Sequence, residues 1–353
     1  MNRGLTASAI AVTTWANAER SAVIKWILVA MRLEEAVIDV AHPDRSRYRK
    51  AAGAALLALI GVPLLLGGCR APGVPDSPEA PHLRIATWNL EHLNDTNAAG
   101  CVPRDQTDYD AIADRIREIN PDVVAFQEVE NTAAALRVFP ATHWHLEMST
   151  RPEPSGAARE CWGLPGQYLE HQATGFAIRK EIAYRRNEDL DSLGRRAPTL
   201  RWGTDITVTL GDRQLRLLSV HLKSGCWSAE QDSDANRVET CATLRDQIFE
   251  VRAWADRRED EGVAFGILGD FNRRFAVSDD WAWRALSPES SPLDLLTADL
   301  EFQCDPNYEE FIDHIVLDAA AAALLVPEST REWPRHDDHP DHCAVSADLT
   351  TRP

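Results

Sequence analysis

The chain has 353 residues, 44% hydrophobic and 26% charged, an ordinary balance for a globular protein with one large core or two smaller ones. Its 37 Lys+Arg against 55 Asp+Glu give a formal net charge of -18, so no basic field covers the molecule and a generic nucleic-acid scaffold is disfavoured. The same acidity suits carboxylates gathered around hard cations, where a bound ion and not the protein neutralises a phosphate.

In chain order, the first feature is an address. Residues 1–30 are long and mildly apolar, a poor n-region, so Met31 is the better start and the upstream part is assigned no function. From Ala51 to Gly68 the chain is almost uncharged and apolar, behind a basic cluster of Arg45, Arg47, Arg49 and Lys50, which is the order of a signal peptide. Gly and Pro interrupt the run too often for a comfortable bilayer-spanning helix. It ends in Leu66-Gly67-Gly68-Cys69, which resembles the bacterial lipoprotein signal. That resemblance implies that residues 31–68 are removed, that Cys69 carries lipid, and that the product is exported across the inner membrane and tethered at a periplasmic or outer-membrane face. Residues 69–82, rich in Pro and small residues, read as a linker to one folded domain at 83–353. Without residues 1–68 the chain keeps 29 Lys+Arg against 50 Asp+Glu, a net -21.

Eight short runs in the body are apolar and β-branched: LRIATWNL, DVVAFQEV, TGFAIRK, DITVTL, LRLLSVHL, AFGILGDF, FIDHIVL and CAVSADL. These predict strands, several buried on both faces. YDAIADRIREIN, before Pro121, and TLRDQIFEVRAWADRRED, before Gly262, place apolar residues at i, i+3 and i+4 and predict helices with stop signals. DITVTL, Gly211-Asp212 and RQLRLLSV form a hairpin pattern, so the sheet is expected to be mixed. No internal repeat is evident.

Besides Cys69 the body holds six cysteines, an even number suited to an oxidising compartment. Cys226 and Cys241 bracket a polar insertion that is costly to order without covalent closure, and are paired first. The other four allow three connectivities, of which Cys101–Cys161 with Cys304–Cys343 is preferred. No CxxC occurs, which argues against structural zinc or a redox motif.

At six places a polar or acidic residue interrupts an apolar run. One such ending is a surface turn; a set of them on buried strands indicates a shared polar site, because a buried unpaired carboxylate is costly. Asn89 with Glu91 in ATWNLEH offers hard oxygen ligands, as does Glu128 after Gln127 in DVVAFQEVE. His221 ends LRLLSVH, and Lys223 behind it can meet a phosphate. In GILGDFNRR, Gly269 admits close backbone approach, and Asp270 with Asn272 can hold one water between them. Asp313 in FIDHIVLD and Asp341-His342 in HPDHCAV supply a carboxylate to orient an imidazole. His314 has no clear role, and the run His336 to His339 reads equally as a solvated loop and is left out of the site.

Taken in order, TWNLE, QEVE, SVHLKS, GDFN, IDHI and PDHCAV resemble the motif series of the metal-dependent, deoxyribonuclease-like endonuclease/exonuclease/phosphatase superfamily, from Leu83 to Leu349. The resemblance implies an α/β (α+β) fold, a four-layer sandwich of two mixed β-sheets flanked by helices. It implies Mg2+, with Mn2+ or Ca2+ as alternatives, held chiefly by Glu128 with Asn89 near and Asp341 assisting. It casts His221 on the phosphate or leaving group, Asp270 and Asn272 on the attacking water, Lys223 and Asn272 on the substrate, and Asp313 with His342 as a final dyad. The base is shared between Asp270 and His342. Two departures stand out: Pro340 replaces a small hydroxyl residue, and ATGFAIRK lacks the acidic or aromatic residue that supports the first histidine in some nucleases.

The expected reaction is magnesium-dependent hydrolysis of a phosphodiester by in-line water, without a covalent intermediate, since no GxSxG signature occurs. A nuclease-like monomer acting on DNA or RNA comes first, with Arg179, Arg201, Arg273 and Arg274 as a local basic rim. The runner-up acts on small phosphoesters or, sphingomyelinase-like, on lipid headgroups, as the tether and the -21 charge suggest. From another class, a catalytically silent periplasmic binding module would keep the fold.

Overall fold

The computed structural model describes residues 81–153, 159–169, 171–226, 235–336 and 340–351. The expected extension, signal peptide, Cys69 and most of the linker lie outside the described residues.

Among the described residues, twelve strands form two six-stranded sheets. The first runs β11 (Arg331–Trp333), β12 (Ala344–Thr350), β1 (His82–Leu93), β2 (Val123–Val129), β4 (Ala173–Arg179) and β3 (Trp144–Met148). The second runs β5 (Tyr184–Arg186), β6 (Thr204–Leu210), β7 (Arg213–His221), β8 (Ala264–Asp270), β10 (Asp313–Leu317) and β9 (Asp294–Leu295). In each, a central parallel pair, β1 with β2 and β7 with β8, is flanked by antiparallel partners, so both sheets are mixed as expected. The β6–β7 hairpin turns at Gly211, whose φ of +62° suits a residue without a side chain.

Side-chain alternation sorts these strands into layers. Leu83 and Ile85 of β1, Val123 and Ala125 of β2, Leu215 and Leu217 of β7, Leu268 of β8 and Ile315 and Leu317 of β10 share one buried cluster between the sheets. Residues of opposite parity point outward. Trp88, Val124 and Phe126 pack with helices α1 (Gln106–Ile119) and α2 (Thr132–Val138). Leu218, Val220, Ile267 and Val316 pack with α3 (Ala235–Glu261) and α4 (Trp281–Leu286). The result is the four-layer sandwich, with a short α5 (Ala319–Ala322) beside the inner core.

Local signals set the helix ends. Asp105 caps α1 in a capping box with Asp108, and Asn120 closes it in the left-handed region before Pro121. Asp280 caps α4 through the N–H groups of Ala282 and Trp283. Disulfides Cys101–Cys161, Cys226–Cys241 and Cys304–Cys343 staple the loops in the expected pairing.

Candidate active site at the strand ends

The inward series of each central strand is aliphatic at one end and polar at the other. On β1 it runs Leu83, Ile85, Thr87, Asn89; on β2, Val123, Ala125, Gln127; on β7, Leu215, Leu217, Ser219, His221; on β8, Leu268 and Asp270. Parallel pairing within each sheet brings Asn89 beside Gln127 and His221 beside Asp270, and antiparallel β10 sets Asp313 against Asp270. The Gln127 amide spans the sheets to the Ser219 hydroxyl at 3.2 Å and forms the floor of the site.

Asp270 is the hub. Asn89 Nδ2 donates to its Oδ2 at 3.1 Å, Asn272 Nδ2 donates to the same oxygen at 2.9 Å, and the Asn272 N–H donates to Oδ1 at 2.7 Å. Asn272 therefore bonds Asp270 directly instead of sharing a water with it. His221 Nε2 lies 3.4 Å from Asp270 and 3.5 Å from Glu128. His342 Nδ1 lies 2.6 Å from Asp313 Oδ2, with its other nitrogen 3.9 Å from Asp270. Glu128 also accepts from Asn89 Nδ2 at 3.4 Å and from the His92 N–H at 3.1 Å. Seven of the expected residues thus converge: Asn89, Glu128, His221, Asp270, Asn272, Asp313 and His342.

Two stand further out. Asp341 is exposed at the rim, its carboxylate 3.8 Å from His342 Nε2, while its N–H donates to Glu91. Lys223 donates its ammonium to the Ser224 carbonyl. Of the four arginines expected at the rim, Arg179 stacks on Trp144 at the opposite end of β4, and Arg273 is buried against Asp280. Arg201 donates to the Leu222 carbonyl and its charge acts on both Glu128 and Asp270, and Arg274 faces Glu310.

The structure adds residues that no motif announced. His92 lies 3.5 Å from Glu128, brought there by a bulge between Asn89 and Leu93 in which Glu91 and His92 adopt left-handed φ. Buried Arg104 donates to the Glu91 carbonyl and to its carboxylate, locking the bulge. Glu128 and Asn272 also hold left-handed φ, of 59° and 51°. Such strain in non-glycine residues costs about 1–3 kcal/mol each and persists only where surroundings enforce it.

Electrostatics divide the titrating groups. Burial, and then Asp313 beside it, pushes the Asp270 carboxyl up to about 7. Burial opposes charge on His342, yet Asp313 and Asp270 outweigh it and hold the imidazole well above its usual range. Burial, reinforced by Arg201 and His342, drives His221 well below its usual range, and its buried Nδ1 has no hydrogen-bond partner. Burial would raise Glu128, but His92, Arg201 and His342 keep its carboxylate low and ionised.

A divalent ion fits this donor set. Glu128 faces a cleft of about 670 Å³ that also reaches Glu91, Asp341 and His342. Ligand atoms of Asp270, Asp313 and His342 lie within 4.8 Å of one another, and a carboxyl held near 7 registers crowding of buried negative charge. Oxygen donors such as these carboxylates suit a hard divalent cation. Cys304, Glu332 and Cys343 are as close together, but both sulfurs are spent in a disulfide.

The sequence model of the endonuclease/exonuclease/phosphatase family matches residues 86–335, and the chain belongs to that family, whose superfamily comprises metal-dependent phosphoester hydrolases. Solved structures share the fold. A D. rerio TDP2 complexed with single strand DNA product is 14% identical with a TM-score of 0.50, over 76% of this chain and 99% of that one. The human Nocturnin catalytic domain with bound sulfate is 14% identical at 0.51, over 77% and 95%. An endonuclease/exonuclease/phosphatase from Bacteroides vulgatus is 16% identical at 0.52, over 76% and 98%. No curated protein sequence gives a significant match.

Proposed function

We propose that the protein is a magnesium-dependent phosphodiesterase that drives in-line attack by water. The observation that carries this reading is the convergence of Glu128, Asp270 and the Asp313–His342 pair from both sheets, with Glu128 and His342 opening on one cleft. Glu128 and Asn89 would hold the ion, which supplies Lewis-acid neutralisation of the phosphate's charge when bound. Each remaining role belongs to the chain. Asp270, close to neutrality in its proton affinity, takes the proton of the attacking water. His342, kept cationic by Asp313, stabilises the charge that builds on the phosphoryl oxygens. Asn272 holds the Asp270 carboxylate in register through two donors, and neutral His221 offers Nε2 to the substrate side.

A polynucleotide substrate is the second reading; Arg159 in the cleft lining is the group there that would meet a flanking phosphate. Export to an oxidising compartment under a lipid tether is part of the proposal and is supported by three disulfides among the described residues.

Hydrolysis of bis(p-nitrophenyl) phosphate tests the reading. Turnover in Mg2+ should vanish in EDTA, return on adding the ion back, and be absent in Glu128→Ala. Unchanged hydrolysis by His342→Ala would overturn the site assignment.

A further inference from the structure

The second face of the site is unlike the first. A cavity of about 350 Å³ opens directly on Asp313 and His342, and its lining is both acidic and aromatic. Asp305, Glu310, Glu332 and Asp341 contribute carboxylates beyond Asp313, whereas the cations among the described lining residues are His342, held by Asp313, and Arg274, paired with Glu310 at 3.4 Å. Phe302 and Phe311 meet edge to face at 5.1 Å in the wall, and Tyr308 stands 57% exposed at the mouth.

Two acceptors in this lining are unspent. Glu332 Oε1 and Asp313 Oδ1 are buried and have no hydrogen-bond partner, and Asp313 as a residue is only 6% exposed. Unsatisfied buried carboxylate oxygens are expensive and call for a cation or a donor. An inorganic ion would want a closed shell of oxygens, but much of this wall is carbon and the two sulfurs are tied in a disulfide. Carboxylates combined with aromatic faces are instead the recognition chemistry of an organic ammonium.

We infer that this cavity is a cation subsite, and that the substrate is a zwitterionic phosphodiester whose ammonium group, quaternary or primary, sits against Glu332, Tyr308 and Phe302 while its phosphate lies at the Asp313–His342 pair. The inference rests on the phosphodiesterase reading. It gives the site an anionic side around Asp305, Glu310 and Glu332. A polynucleotide carries a further phosphate on each side of the scissile one, and one of those would face carboxylates. A phosphocholine or phosphoethanolamine ester presents its ammonium group to those carboxylates instead. Burial also pushes the Glu332 carboxyl up to about 7 against the backbone N–H groups of Gln303 and Cys304, so a bound ammonium would draw it into its anionic form.

The test compares p-nitrophenylphosphorylcholine with ethyl p-nitrophenyl phosphate, which differ in the ammonium group, on the full chain in Mg2+. The expected preference in kcat/KM for the choline ester is about tenfold or more, the size of a desolvated cation–aromatic contact. Glu332→Gln and, independently, the surface change Tyr308→Ala should cut that preference, read as the ratio of the two kcat/KM values in each variant, to about twofold or less. Calorimetric titration with phosphocholine and with ethyl phosphate reads the cavity without turnover. Hydrolysis of both esters at equal rates, or faster hydrolysis of a single-stranded oligonucleotide, would overturn the cation subsite and leave the phosphodiesterase reading intact. Phosphocholine binding tighter than ethyl phosphate in a protein that hydrolyses nothing would retain the cavity and sink the enzyme. Phosphatidylcholine vesicles against glycerophosphocholine tell a lipid source from a soluble one; turnover of either supports the inference, and turnover of neither, with no choline preference, refutes it.

Discussion

Gly269→Ala links the fold to the chemistry in one methyl group. Gly269 holds a φ of +148°, and a Cβ built there would lie 2.0 Å from the Val220 carbonyl oxygen on the neighbouring strand. Carbon and oxygen need about 3.3 Å, so β7 and β8 must part by about 1 Å at the point where His221 pairs with Asp270. Backbone strain of this type costs about 1–3 kcal/mol, and overpacking about 1–3 kcal/mol more. Out of a total stability of about 5–15 kcal/mol, the loss should be visible as a Tm lower by several degrees. Activity should suffer more, since a 1 Å misplacement can cost about a hundredfold. Thermal unfolding and kcat/KM on bis(p-nitrophenyl) phosphate measure both, with Gly163→Ala as control, because that glycine also has positive φ but no atom within 4 Å of the place its new methyl would take. A Gly269→Ala protein with the parent Tm and the parent rate would refute the reasoning.

Further outcomes follow from the same geometry. Asp313→Asn removes the anion that keeps His342 charged, so kcat should fall by about 10²–10⁴ and the alkaline limb of the pH profile should move to lower pH, as read by a rate–pH series. In the parent protein the profile should be bell-shaped. Asp270 must be deprotonated to accept a proton and is held at about 7, so activity rises through neutrality; His342 must stay protonated and is raised well above its usual range, so activity falls only in alkali. Cys226→Ser with Cys241→Ser opens a loop of 15 residues and should cost about 3 kcal/mol in denaturant unfolding, and reductant should add nothing to that loss beyond what the other two disulfides contribute.

All eight strands expected from apolar runs form, because each contributes an alternating inward series that only burial between two sheets can satisfy. Strands β3, β5, β9 and β11 were not legible. They are edge strands or two- and three-residue fragments held by a neighbour's hydrogen bonds and not by their own pattern. Among site residues, those at strand ends were readable because the polar residue breaks an apolar run. His92 and Arg104 were not, since the first depends on a bulge with left-handed φ and the second reaches its carbonyl from a loop. Arg201 was visible only as one arginine among four, and composition could not say which of them the topology would turn inward.

Crystals soaked in Mn2+ and measured at the metal's absorption edge address the site most directly. An anomalous peak should appear within ligand distance, about 2.0–2.3 Å, of a Glu128 oxygen, in the cleft that His342 also lines. A peak elsewhere on the molecule, or none at saturating Mn2+, would contradict a metal-dependent centre at these strand ends.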